Sequence, residues 1–303
     1  MAVKLLDLIF FGRPMLVVPV WTVYLHAVAV CGRTGYLRGY APGDAPFHLA
    51  GLTLIFMGVY VFNQIFDVDT DRINDKLFFL PHGIISKTTA WGYYLILTPG
   101  GLLLMFSFAP EAVWPATAIV ALGILYSIPK VRLKDNVLGG LLTNAAAFGW
   151  CLPWMAAGQS WDGSRLLLAL PYVTAIAAGY ILTTIPDRDG DAAAGKKTIA
   201  VVMGARGAIW SAMLFSLATV VMSLISTNYE LMLVALVTMA GTLYLLIAFD
   251  ETTARFTCKF PILLLTLAAG AHFPFYLLIL LLTTILTRLY YRERFGMEYP
   301  RLS

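Results

Sequence analysis

Charge is scarce in this chain. Only 13% of its 303 residues are Asp, Glu, Lys or Arg, against about 25% in a soluble domain. With 59% hydrophobic residues and a mean hydropathy of +0.78, that scarcity excludes a soluble globular protein and points to a multi-spanning membrane protein. The net charge of +4 is modest, and nucleic acid is not an expected partner. Cysteine is scarce too. Cys31, Cys151 and Cys258 lie far apart with no Cys-x-x-Cys pair, which leaves neither a disulfide framework nor a zinc site. A lone Cys in an apolar helix is usually a packing residue. A cleavable leader is also missing by pattern. The first apolar stretch is broken by Asp7, Gly12, Arg13 and Pro14 and has no small-x-small cleavage site.

Long apolar runs are abundant. A spanning helix needs about 20 mostly apolar residues. Candidates cover 14–31, 47–66, 89–109, 112–128, 137–158, 166–184, 207–226, 231–249 and 261–287, about nine helices in an all-α, polytopic fold. Residues 1–13, with Lys4, Asp7 and Arg13, read as an interfacial entry helix or as a frayed terminus. The whole of 1–303 reads as one membrane domain.

Basic residues orient the chain. Lys4, Arg13, Arg72, Lys76, Lys87, Lys130, Arg132, Lys134, Arg188, Lys196, Lys197, Arg206, Arg255 and Lys259 fall on one side; Arg33, Arg38 and Arg165 fall on the other. The first side is therefore expected to be cytoplasmic in a cell membrane. Nine spans leave Arg288, Arg292, Arg294 and Arg301 outside; either the tail is tolerated there or the count is short by one helix. His272 and Pro274 mark where the last run could break.

The few acidic residues are concentrated. The second apolar run leads into Asn63, Asp67 and Asp71, at i, i+4 and i+8, and so on one helical face. A later run leads into Asp187 and Asp191, again at i and i+4. A shift of 120 residues carries Asp67 and Asp71 onto Asp187 and Asp191, which suggests two similar halves, about 14–136 and 137–260, plus a last helix over 261–287. Carboxylates so near hydrocarbon are costly unless neutralised, and are functional candidates by default. Either cluster alone is as readily a solvated helix cap. Two sets of hard oxygen ligands, expected to face each other across a helical bundle, suit Mg²⁺, which takes carboxylate, water and phosphate oxygens.

Cations accompany the acids. Arg72 and Lys76 follow the first cluster, and Lys196 and Lys197 follow the second. They can balance the carboxylates or hold a phosphate from the side opposite a metal. A third loop carries Tyr126, Ser127, Pro129, Lys130, Arg132 and Lys134, where topology alone would also place positive residues. Pro81 and Gly83 mark a turn, and Ser86 is placed to cap the helix that follows.

Taken together, these motifs resemble the UbiA superfamily of intramembrane prenyltransferases. The first family motif, Asn-Asp-x-x-Asp-x-x-x-Asp, is similar to Asn63, Gln64, Asp67 and Asp71, with Gln64 in place of the usual Asp. Asn74, Lys76 and the stretch from Leu80 to Ser86 resemble the pattern that follows it. Tyr126, Ser127, Pro129, Arg132 and Lys134 match the family's loop pattern; Asp187, Asp191, Gly195, Lys196 and Thr198 match the second acidic motif. The likeness runs from Arg13 to about Gly204.

The resemblance implies a nine-helix fold around a central cavity open to the cytoplasm. It also implies two Mg²⁺ ions, bound by Asn63, Asp67, Asp71, Asp187 and Asp191, bridging an isoprenyl diphosphate (geranyl to geranylgeranyl or longer). Arg72, Lys76, Lys130, Lys134, Lys196 and Lys197 become candidates for stabilising the leaving diphosphate. Tyr126, with Tyr60, Phe62, Phe66 and Tyr180, could face an allyl cation or simply pack. The acceptor is lipophilic: an aromatic quinone precursor, or a glyceryl phosphate ether of archaeal lipid synthesis. Gln64 resembles the homogentisate-type branch. Arg13 could pair with an acceptor carboxylate or phosphate, or snorkel to the interface. His26 and His272 could be general bases or satisfied helix residues. Two rival readings are a CDP-alcohol phosphotransferase, whose Asp-Gly-x-x-Ala-Arg element is absent, and a transporter with repeated halves, whose site would lie nearer the bilayer midplane.

Overall fold

The computed structural model describes residues 5–34, 45–73, 79–158 and 163–300. Among these the regular structure is helical: α1 (Leu5–Phe11), α2 (Pro14–Thr34), α3 (Ala45–Ile73), α4 (Lys87–Phe108), α5 (Val113–Ser127), α6 (Val137–Asn144), α7 (Leu152–Ala157), α8 (Gly163–Thr183), α9 (Arg188–Ala193), α10 (Ile199–Ile225), α11 (Tyr229–Ile247), α12 (Glu251–His272) and α13 (Pro274–Phe295). A π-helical stretch, Ala145–Cys151, joins α6 to α7. Eight of these helices are long and apolar enough to cross a membrane. The shorter α5 and the α6–π–α7 run are apolar as well, so ten apolar segments follow one another among the described residues.

Local chemistry explains most boundaries. Ser86 accepts from Thr89 N at 3.0 Å and caps α4 as expected. Asn136 caps α6 by accepting from Gly139 N at 2.6 Å, and Asn228 caps α11 by accepting from Leu231 N at 3.2 Å. Pro19, Pro99, Pro171 and Pro261 lie inside α2, α4, α8 and α12 without ending them, as membrane helices tolerate. α10 kinks at Gly204. The single span expected over 261–287 is two helices, α12 and α13. They break at Phe273, because the residue before a proline is driven to extended backbone and Phe273 sits at φ −129°, ψ 77°.

The chain forms two compact units. The first comprises 1–21, 41–131 and 273–302. Within it α3 packs against α4 and α5. The buried side chains Phe11, Leu52, Ile55, Phe56, Phe79, Ile85 and Met105 form its interior. α1 is clamped to α13. Asp7, fully buried, accepts from Tyr290 OH at 2.6 Å and from Arg294 Nε and Nη2 at 3.0 and 2.8 Å. Phe10 stacks on Tyr290 with ring centroids 3.9 Å apart.

The second unit comprises 22–40 and 132–272, and here α8 and α10 pack together with α11 and α12 around them. The π stretch lies tight on α8: a Cβ on Gly149 would stand 2.5 Å from the Val173 backbone, so only glycine allows that approach. Cys31, Cys151 and Cys258 form no disulfide among the described residues.

Candidate active site

The first acidic face is built on the end of α3. Asn63, Asp67 and Asp71 all lie within this one helix, spaced about 6 Å apart along it. Asp67 and Asp71 are half-buried. Asn63 Nδ2 donates to Ser127 Oγ at 3.0 Å, which fixes the amide against the end of α5. Arg72 Nη2 reaches the Pro81 carbonyl at 3.5 Å, so the turn after the motif holds that guanidinium close to Asp71. Lys76, together with Asn74, lies outside the described residues.

Gln64 stands where the family pattern has Asp, and it does not share this face. It is 2% exposed, and its Nε2 donates to Phe11 O at 3.0 Å and Tyr60 O at 3.1 Å. Its role is to tie α3 to α1. The neighbouring rings are packed: Phe62 and Phe66 pack on Trp91, with Tyr94 also against Phe62, and Tyr60 OH donates to Leu16 O at 2.9 Å. Arg13 is half-buried at φ 58°, in the tight connection between α1 and α2. Tyr126 is half-buried and Lys130 exposed, at the end of α5 and just beyond it.

The second acidic face begins where α8 ends. Asp187 precedes α9, and Asp191 lies within it. Lys196 Nζ donates to Asp191 Oδ1 at 2.8 Å, with side-chain exposures of 24% and 14%. The return needed for this contact comes from Gly195, whose φ of +72° suits glycine, and from Lys196 N donating to Asp191 O at 2.9 Å. Asp189, by contrast, is 98% exposed and points into solvent. The third loop joins this motif through the backbone: Lys197 N donates to Asp135 O at 2.8 Å, with Asn136 and Lys197 paired as an isolated parallel bridge. Arg132, at a left-handed φ of 39°, pairs with Asp135 at 2.6 Å. Lys134 is 7% exposed; Asp187 and Lys197 are exposed. Sequence reasoning grouped the second motif and this loop only by pattern. The bond joining them is between backbone atoms and leaves no residue signature.

His26 and His272 are engaged elsewhere. His26, fully buried, contacts Tyr172 OH at 2.7 Å and Glu230 Oε2 at 3.0 Å. His272 Nε2 lies 2.9 Å from Glu230 Oε1, and Arg33 donates to the same carboxylate at 2.7 Å. This polar staple joins α2, α8, α11 and α12. Tyr172 lies 11 residues before the end of α8 at Thr183, about 16 Å at 1.5 Å per residue. The ring nitrogens that contact Glu230 and Tyr172 thus serve packing rather than a base at the second motif.

The donor set suits a hard, oxygen-seeking divalent ion. Among the described residues no three His, Cys, Asp or Glu side chains converge, which rules against a protein-enclosed cage there. Mg²⁺ does not need one: it is bound through one or two carboxylates and completes its octahedron with water and substrate phosphate.

Known proteins resemble this chain in sequence and in fold. The model of the UbiA prenyltransferase family matches residues 38–255, a stretch that holds both acidic faces and the third loop. The digeranylgeranylglyceryl phosphate synthase of Thermococcus gammatolerans is 29% identical over 245 residues, covering 76% of this chain and 87% of that protein. The lycopene elongase/hydratase of Haloferax volcanii is 27% identical over 210 residues, covering 63% and 65%. Among solved structures, a UbiA homologue from Archaeoglobus fulgidus bound to GPP and Mg²⁺ shares the fold with a TM-score of 0.65 at 20% identity, covering 87% of this chain and 98% of that one. A membrane-spanning helical chain with two acidic helix ends, each followed by cations, and a family match across most of its length belongs to the UbiA prenyltransferase family.

Proposed function

We propose that this membrane prenyltransferase uses Asn63, Asp67, Asp71, Asp187 and Asp191 to hold an isoprenyl diphosphate through two Mg²⁺ ions, and passes the prenyl group to a lipophilic acceptor. The observation that carries the reading is the assembly at the second motif. There Lys196 orients Asp191 at 2.8 Å, and the third loop is bonded to the same turn through Lys197. Carboxylate and ammonium side by side are what a metal-bound anion requires, one group for the metal and one for the phosphate oxygens. A solvated helix cap would not need the loop bonded onto it.

With Mg²⁺ bound, the negative charge that grows on the departing diphosphate is neutralised. The chain's own residues do the rest. Lys196, Lys197, Lys130, Lys134 and Arg72 donate to the diphosphate oxygens, as does Lys76 on the strength of the motif. Tyr126 contacts the substrate beside the first acidic face. The packed Phe62, Phe66, Trp91 and Tyr94 rings keep water from α3 near Asn63 and Asp67, where it would quench an allyl cation. Arg13 takes the anionic end of the acceptor.

The names of the relatives narrow the acceptor. A glyceryl phosphate ether is the first to test, with a geranylgeranyl donor, and its phosphate would suit Arg13. The acidic faces lie on the cytoplasmic side, supported by the basic residues of the adjoining loops. If the last run crosses twice, as α12 and α13, the tail with Arg288, Arg292 and Arg294 returns to that side and the discord in the basic-residue count is gone.

The test is product formation by the purified protein from geranylgeranyl diphosphate, with geranylgeranylglyceryl phosphate and 4-hydroxybenzoate as competing acceptors. The ether product with Mg²⁺ and none with EDTA is expected. Product with 4-hydroxybenzoate alone would overturn the ether assignment and keep the donor half; no product with any acceptor would overturn both.

A further inference from the structure

The last membrane helix ends in a small basic cavity that the prenyl-transfer reading does not use. Its volume is about 270 Å³, and Arg288, Leu289, Arg292, Met297 and Glu298 line it. The tail closes it. Gly296 adopts φ 66° with its N bonded to Arg292 O at 2.9 Å, and Met297 N bonds to Tyr291 O at 3.3 Å, a turn that ends the helix and sends the chain back along it. Tyr299 packs on Tyr291 with centroids 4.8 Å apart, so the wall is fixed. The volume falls below the roughly 300–1,000 Å³ of a pocket that encloses a whole drug-sized ligand. It suits a headgroup whose remainder lies outside.

Three features say what that headgroup is. Arg288 and Arg292 are one turn apart, about 6 Å along the helix, so both guanidinium forks can meet one phosphate. Among the described residues the ion pair of Arg292 is a long, exposed one with Glu293, at 3.8 Å, which is worth little. Glu298 lowers the cavity's charge to a net +1. That balances the single negative charge of a phosphodiester and disfavours the multiply charged diphosphate. Finally, the helix surface running up to the arginines is apolar and exposed: Leu281, Leu282, Ile285, Leu286 and Leu289 are each 42–58% exposed. With 22 residues in α13, about 33 Å, Arg288 and Arg292 lie about 21 and 27 Å along the helix, near enough its end for their long side chains to reach the phosphate groups of the bilayer.

We propose that the Arg288–Arg292 cavity binds the phosphodiester headgroup of an anionic bilayer phospholipid, whose acyl chains lie along the exposed leucine and isoleucine surface of α13. The site fixes the last helix to the anionic lipid of its leaflet.

Native mass spectrometry of the full chain in detergent, with dioleoyl phosphatidylglycerol against dioleoyl phosphatidylcholine, tests this. At about five-fold per arginine near the surface, the intact protein is expected to prefer phosphatidylglycerol by about 30-fold. Arg288→Ala with Arg292→Ala should bring the preference close to unity, whereas Arg206→Ala with Lys259→Ala, which removes the same charge elsewhere, should leave it. A photoactivatable phosphatidylglycerol should label peptides of α13 in the unaltered protein, a readout that needs no variant. An unchanged preference in the Arg288/Arg292 variant, label spread evenly over the helices, or displacement of the lipid by equimolar inorganic phosphate or geranyl diphosphate would overturn the proposal.

Discussion

Residues of similar chemistry play different parts in this chain according to what they touch. Gln64 and Asn63 are neighbours in the motif, yet Asn63 presents its amide to Ser127 on the motif face while Gln64 is buried against the Phe11 and Tyr60 carbonyls. Gln64→Asp would restore the family's usual residue. It would also remove two buried donors and bury a carboxylate, at about 1–3 kcal/mol for each group left unsatisfied. The expected outcome is a lower thermal midpoint in detergent and no gain in turnover; a variant of unchanged stability would contradict the packing role. Lys196 is a second case. Its ammonium is held on Asp191, and a charge-assisted hydrogen bond is worth about 1.5–3 kcal/mol. Lys196→Ala should therefore raise the KM for isoprenyl diphosphate by about 10- to 100-fold while the acceptor KM stays put. Steady-state kinetics with each substrate varied in turn would show a role in acceptor binding instead, if the changes fell there.

At the level of elements, the helices are set by signals that the sequence carries openly, and the joints between them are not. The apolar runs mark α2, α3, α4, α8, α10 and α11 within a few residues, except that α10 begins earlier, ahead of its kink at Gly204. Ser86 announces the start of α4. The break at Phe273 was foreshadowed by Pro274, but apolar residues on both sides conceal it, since hydropathy measures burial in lipid and not backbone direction. The clamp between α1 and α13 has no local trace, because Asp7 and Arg294 stand 287 residues apart. Both ends of that pair are buried, at 0% and 9% side-chain exposure. Removing one partner strands the other charge, at a cost of about 3–5 kcal/mol. Asp7→Ala is expected to lower the thermal midpoint sharply, and Asp7→Ala with Arg294→Leu should recover part of the loss. A single variant as stable as the parent would show the clamp to be slack. The contact between Lys197 and Asp135 was equally hidden, being a bond between backbone atoms.

On the scale of the whole molecule, the order of elements repeats. A shift of about 120 residues carries α2, α3, α4 and α5 close to the α6–π–α7 run, α8, the straight part of α10, and α11. We propose that the two halves descend from one duplicated unit, each ending its acidic helix on the cytoplasmic side. If all ten apolar segments cross, both termini fall on that side. Cysteine labelling from outside intact cells should therefore miss a Cys placed at Glu298 and reach one placed at Thr227; labelling of the Glu298 position would restore a nine-span count. The central claim is that the acidic faces hold an isoprenyl diphosphate through Mg²⁺. Binding of geranylgeranyl diphosphate to the purified protein, measured with Mg²⁺ and again with EDTA, tests it most directly. Saturable binding that EDTA abolishes, and that Asp67→Ala and Asp191→Ala each weaken by at least about ten-fold, is the predicted result. Binding indifferent to the metal, or unaffected by either variant, would contradict it.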